Sequence, residues 1–187
     1  LTREQQIAMD AEAVERLAER LRDNYAVSVR SRIRITAQHN LRASSFGQLC
    51  DRRLYHDVKD WQTQAPVDPQ VQQYFDRGND LEPLVMKKLN DIGLRVIEQQ
   101  VAYWDDELRV GAHIDGKAVI VEDDDGRRMV VETKASANPS LAKCRTVDDL
   151  LHNKWGRRYY VQCMIYMHLA KCNVALLVVW DTAPWEP

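Results

Sequence analysis

The sequence predicts an α/β domain, a mixed central β-sheet flanked by helices, with a helical extension at the N-terminus. Three observations predict it. Helical patterns occur at 3–24 and up to about Asp57, and return at 147–153 and 155–171. Several strand-like runs follow one another between residues 94 and 134. A last run, VALLVVW at 174–180, is apolar at every position, the pattern of a strand buried on both faces. Helices, then strands, then a helix and a strand is the order of an α/β domain whose sheet is mixed.

Each element rests on a local pattern. Residues 3–24 read as a helix with a sparse apolar stripe of Ile7, Val14, Leu17 and Leu21. Residues 27–35 alternate and read as a strand or extended arm, with Ser28, Arg30, Arg32 and Arg34 on its polar face. Ser44 or Ser45 is placed to cap a helix running to about Asp57, and 62–70 reads as a loop. A further helix precedes Gly78, or else runs from near Asp80 to Asn90 with Pro83 in its first turn. Strands are expected at 94–104, 108–114, 117–122 and 127–134, the last two joined by the turn Asp123-Asp124-Asp125-Gly126. Helices follow at 147–153 and 155–171. The expected organisation is one domain over 1–187, with an N-terminal helix and basic arm at 1–43 and a core at 44–180.

Composition sets outer bounds. The 187 residues are 45% hydrophobic, which argues against disorder, and no apolar run approaches the roughly 20 residues of a membrane span. The polar start, LTREQQIAMD, does not read as a signal peptide, and its first residue, Leu1, leaves room for trimming. The expected location is the cytoplasm. Cys50, Cys144, Cys163 and Cys172 form no C-x-x-C pair and read as free thiols. The net charge of -2 gives no hint of a polyanionic partner, but the charge is uneven. Residues 61–140 hold 15 acidic against 9 basic side chains, whereas both flanks are net basic. That pattern permits a cation site within an anion-binding surface, and equally an ordinary solvated face.

The most informative run is Met129-Val-Val-Glu132-Thr133-Lys134. Glu132 and Lys134 are two apart on a predicted strand and leave the same face. A carboxylate that holds a cation, beside an ammonium that orients or helps deprotonate water, suits metal-assisted hydrolysis. The triplet alone is weak, since D/E-x-K arises about once by chance in such a composition. Asp57-Val-Lys59 and Asp115-Gly-Lys117 also match it, but only Glu132-Thr133-Lys134 follows an apolar strand. Asp115 ends a predicted strand 17 residues before Glu132, and a hairpin would bring the two carboxylates together on a hard cation. Asp115-Gly116 is also an ordinary turn signal. Glu82, early in a helix, offers a third carboxylate or simply matches the helix dipole. Gln162 and Tyr166 share a helix face. Ser45, Arg52, Arg53 and Tyr55 could grip phosphate at a helix start.

Taken in order, Gly78…Glu82, Gly111…Asp115, Glu132-x-Lys134 and Gln162-x-x-x-Tyr166 resemble the PD-(D/E)XK nuclease superfamily, in its RecB-like and lambda-exonuclease-like branch. The likeness covers about 44–180 and implies a restriction-endonuclease-like core. It implies that Asp115 and Glu132 bind Mg2+ or Mn2+, that the carbonyl of Thr133 completes the coordination, and that Lys134 is catalytic. It maps the acidic helix residue to Glu82, and the supporting Q-x-x-x-Y helix to Gln162 and Tyr166. Ser45, Cys50, Arg53 and Tyr55 match a further segment loosely. Many RecB-like members carry His where this chain has Glu82. Some hold an iron–sulfur cluster through one early and three late cysteines; no Cys follows Cys172, so no cluster is expected within this stretch.

The resemblance implies a metal-dependent DNA exonuclease of recombination, repair or phage DNA processing, acting on linear duplex or single-stranded DNA. Arg30, Arg32, Arg34, Arg52, Arg53, Arg157 and Arg158 are candidates to track phosphates, and Trp155, Tyr159 and Tyr160 to stack on bases. An endonuclease of the restriction or junction-cutting kind, and a silent DNA-binding module on the same fold, stay open, as does a homo-oligomer.

Overall fold

The computed structural model describes residues 3–35, 37–47, 50–120, 127–136 and 138–182. The chain divides into two compact units, Leu1–Thr36 with Ala65–Phe75, and Ala37–Gln64 with Asp76–Pro187. The element order is α1 (Arg3–Arg32), β1 (Leu41–Arg42), a 3-10 turn (Ala43–Ser45), α2 (Asp51–Lys59), a second 3-10 turn (Trp61–Thr63), α3 (Pro69–Asp91), β2 (Leu94–Asp105), β3 (Val110–Ile120), β4 (Arg128–Ser136), α4 (Pro139–Ala142), α5 (Val147–His152), α6 (Lys154–Ala170) and β5 (Ala175–Asp181). The predicted class, a mixed sheet flanked by helices, is the class found.

In the first unit, α1 corrects the expected arm. Residues 27–32 continue the helix rather than forming a strand. The β-branched residues there cost only tenths of a kcal/mol each in a helix already nucleated upstream. Ser31 Oγ donates back to the Ser28 carbonyl at 2.8 Å, and Arg30 and Arg32 lie in the last turn, where the helix dipole favours cations. These arginines therefore do not share one strand face with Arg34.

The second unit holds the sheet. β3 is its spine: β2 pairs along its whole length antiparallel, from Asp105↔Val110 to Leu94↔Ile120. The opposite edge of β3 is divided between two strands. β1 pairs parallel with Val110 and Gly111, and β4 pairs antiparallel with Gly116 to Val119. β5 then joins β4 in parallel. The sheet thus forks at residues 112–115, where β3 has left β1 and has not yet met β4.

Two apolar clusters cover opposite faces. Adjacent residues of β4 divide between them: Val130 packs with Ile114, Tyr166 and Leu169 of the α6 side, and Val131 with Val85, Met86 and Leu89 of the α3 side. β2 changes allegiance along its length, Leu94 and Val96 joining the α3 cluster and Tyr103 the α6 cluster.

Several boundaries differ from expectation. Ser44 and Ser45 do not cap α2; they lie in the 3-10 turn, and Cys50 is the N-cap residue without a side-chain cap bond. α3 is one helix through Gly78 and Pro83, so Pro83 is interior rather than in a first turn. Pro83 forgoes one backbone bond, and the burial of Val85, Met86 and Leu89 immediately after it offsets that loss. The runs expected at 108–114 and 117–122 are a single strand, and Asp115-Gly116 is not a turn. Gly116 suits the close approach there: a Cβ would lie 3.3 Å from the Glu98 carbonyl, a tight contact. β5 is half-buried rather than enclosed, because it ends the strand order among the described residues. The Asp123–Gly126 turn lies outside the described residues.

Gly47 anchors the turn before α2 to α6. Its φ is +75°, and a Cβ would sit 2.8 Å from Arg158 Cα. Both facts forbid a side chain. Gly47→Ala is expected to cost about 2 kcal/mol or more, read as a fall of several degrees in Tm by thermal unfolding.

Candidate active site

The fork in the sheet places the chemistry. At residues 112–115 the β3 backbone has lost one neighbour and not gained the next, so polar side chains rather than a ladder tie the strands there. Asp115 Oδ2 accepts from both the Thr133 N–H at 2.8 Å and the Thr133 hydroxyl at 3.0 Å. This carboxylate therefore stands in for the missing ladder bond between β3 and β4 and is held with one oxygen spent.

Glu132 is the buried centre of the cluster, 1% exposed. Its Oε1 accepts from Gln162 Nε2 at 2.8 Å and is ion-paired with Lys134 Nζ. Its Oε2 is buried with no partner. Buried polar atoms in native proteins are nearly always satisfied. A bare carboxylate oxygen beside a second carboxylate is therefore the donor that a divalent cation would complete, and the site fits one. Burial raises the Glu132 pKa to about 7, the Asp115 charge adds to that, and Lys134 opposes it. For Lys134, burial acts to discharge the ammonium, but Glu132 and Asp115 outweigh it and the pKa is raised. The Lys134 ammonium also lies 5.3 Å from the centroid of the Tyr159 ring.

The expected Gln162 and Tyr166 pair is assembled on α6. Gln162 Nε2 spends its two protons on Glu132 and, at 2.6 Å, on the Tyr166 hydroxyl. The Tyr166 hydroxyl in turn donates a hydrogen bond to the His113 carbonyl at 2.9 Å. A chain of hydrogen bonds thus runs from the fork in β3 through α6 to the buried carboxylate on β4. The Tyr166 pKa is raised, chiefly by burial and then by Glu132, so the hydroxyl is a neutral donor. The Cys163 thiol beside it is pushed up to about 12 by the same burial and the same charge. All four cysteines are free.

Glu82 is brought near but not into direct contact. Its carboxylate accepts from Gln100 Nε2. Burial and then the Asp115 charge raise its pKa, against the Gln100 hydrogen bond and Lys134. Among the described residues no three His, Cys, Asp or Glu side chains are gathered into a ready-made metal cage. The nucleus is the pair Asp115 and Glu132, with Glu82 as an outlying third.

The predicted phosphate-gripping residues are not drawn into this cluster. Arg52 donates to His56 at 3.3 Å and Arg53 pairs with Asp57 at 4.0 Å, both within α2. Tyr55 is exposed beside His56, and Ser45 is half-buried in the 3-10 turn. On α6, Arg157 is exposed, and Arg158 stacks 5.2 Å over the Trp155 ring with its buried Nε unpartnered. A groove of about 700 Å³ runs beside the fork, lined among others by His39, Arg42, Ser44, Trp104, His113 and Tyr166. The sequence reading missed this groove, because 37–42 carries no periodic pattern. It also missed Gln100, to which no sequence signal points.

The model of the YqaJ-like viral recombinase domain matches residues 28–173, most of the chain. No curated protein matches the sequence closely enough to count as a relative. Two solved structures are similar at a distance. One is LHK-Exo in complex with dAMP, with a TM-score of 0.49 and 18% identity over 79% of this chain and 72% of that one. The other is SSO0001, with a TM-score of 0.46 and 14% identity over 89% of this chain and 73% of that one. No helix among the described residues is long and apolar enough to cross a membrane. The chain belongs to the YqaJ-like viral recombinase domains, in the lambda-exonuclease-like branch of the PD-(D/E)XK nucleases.

Proposed function

We propose that this chain is a divalent-metal-dependent DNA exonuclease of recombination, repair or phage DNA processing, with residues 44–180 as the nuclease core of a single domain. It would act on linear DNA, duplex or single-stranded, in the cytoplasm of the cell or of a phage host. The observation that supports this reading most is the bare Oε2 of Glu132, buried beside Asp115 and opposite the charged Lys134.

Asp115, Glu132, the Thr133 carbonyl and Glu82 would hold Mg2+ or Mn2+, hard cations that take oxygen ligands. Such a cation supplies, when bound, positive charge for the pentavalent phosphate and a lowered pKa for water. The remaining work belongs to side chains. Lys134, charged at neutral pH, donates hydrogen bonds and positions the attacking water or the phosphate oxygen. Gln162 pins Glu132 Oε1 and so leaves the buried Oε2 unspent. Tyr166 fixes Gln162 by anchoring it to the β3 backbone. Ser45, Arg52, Arg53, Tyr55, Arg157 and Arg158 would contact the DNA backbone, with Trp155 available to stack on an unpaired base. The acidic middle of the chain then does not oppose a polyanionic substrate, because its key carboxylates serve a cation.

Exonuclease action is tested by offering linear duplex and covalently closed circular DNA side by side with Mg2+ or Mn2+. Linear DNA degraded to nucleotides with the circle intact is the expected outcome. Linearisation of the circle would mean an endonuclease, and a gel shift without cleavage would mean a binding module.

A further inference from the structure

We propose that Gln100 is a positioning residue of this site, holding Glu82 toward the Asp115 and Glu132 pair. Three independent features meet at Gln100. Its φ is +51°, a left-handed conformation that a residue with a side chain adopts at a cost and that clusters at functional sites. It lies between the ladder pairs Gln99↔Gly116 and Val101↔Ile114, directly opposite Asp115 across β2 and β3. Its amide donates to Glu82 Oε1, linking β2 to α3.

The strand pattern explains why the kink falls there. The half-buried positions of β2 are 94, 96 and 98 before the kink and 101, 103 and 105 after it, so the inward face changes at Gln99 and Gln100. The change coincides with the handover from the α3 cluster to the α6 cluster. A glycine would make this turn without strain. The chain instead carries a side chain whose amide spans to a carboxylate, and Gln100 is itself exposed, so its burial stabilises nothing. What the side chain provides is the bond to Glu82: without it, a half-buried carboxylate repelled by Asp115 would swing to solvent.

The inference rests on the metal-dependent nuclease reading, and its test separates the two. Mn2+ binding is measured by calorimetry on the DNA-free full chain, beside the Mn2+ dependence of linear DNA cleavage and Tm. Gln100→Gly keeps the backbone conformation and removes the amide. Its Tm is expected to be unchanged or higher, while the Mn2+ needed for half-saturation rises about 10-fold or more. Glu82→Ala is expected to give the same rise, and the double variant no further one, because the two act as a unit. Gln100→Asn, which tolerates this backbone, replaces Gln100→Gly if the latter fails to fold. Unaltered Mn2+ binding in a folded Gln100 variant would overturn the inference, as would losses that multiply in the double variant. A wild-type protein that neither binds Mn2+ nor cuts DNA would overturn the nuclease reading itself, and this inference with it.

Discussion

Lys134→Ala is expected to reduce DNA cleavage by about 10²–10³-fold or more, the usual loss when one preorganised donor to a developing negative charge is removed. The fold should survive. Lys134 is the ion-pair partner of buried Glu132, and removing one member of a buried pair is costly when the other stays charged. Glu132 has a way out, because its pKa is already raised to about 7. Without the neighbouring ammonium it keeps its proton to higher pH and becomes a neutral hydrogen-bonding group. Single-turnover cleavage rates, together with circular dichroism and thermal unfolding of the same variant, separate the chemical loss from a structural one. Cleavage within a few-fold of wild type would remove Lys134 from the mechanism.

Glu132→Gln is expected to abolish cleavage and cation binding, and in the cation-free protein to remove a loss of stability that wild type undergoes as pH rises toward 7. The folded state holds the Glu132 proton up to about pH 7, whereas an ordinary glutamate releases it near 4.5. Between these two pH values the folded state binds more protons than the unfolded state, so stability falls as pH rises through the window. The full effect, reached above pH 7, is about 3 kcal/mol. In wild type, a divalent cation should offset this loss by neutralising the carboxylate. Glu132→Gln should flatten the pH dependence of stability and remove the cation response. Denaturant unfolding at pH 5, 6, 7 and 8, with and without Mg2+, measures both. A wild-type stability that rises across that window would contradict the environment assigned to Glu132.

Much of the site was legible because its residues sit on long, regular elements. The E-x-K run follows an apolar strand, and Gln162 and Tyr166 are one turn apart on a helix, so simple periodicity puts each pair on one face. What periodicity could not supply was how the strands join. Asp115-Gly116 has the chemistry of a turn, yet it lies inside a strand, since β2 pairs across it and Thr133 takes the place of the missing ladder partner. The alternation at 27–35 likewise suggests an arm, whereas a helix begun 24 residues earlier runs on to Arg32. β-Branched residues disfavour a helix by less than its propagation gains. Gln100 was invisible for another reason: a left-handed residue in mid-strand arises from the sheet changing which helix covers it, a tertiary fact with no local signature.

On the proposed function, Asp115, Glu132 and Lys134 would form a metal-dependent phosphodiester-cleaving centre. The most direct measurement follows end-labelled linear duplex and single-stranded DNA with Mg2+ or Mn2+, wild type beside Lys134→Ala and beside EDTA. Label release by wild type with a divalent cation is expected, with release slowed by about 10²–10³-fold or more in the variant and abolished in EDTA. Full activity in EDTA, or in the Lys134→Ala protein, would contradict it.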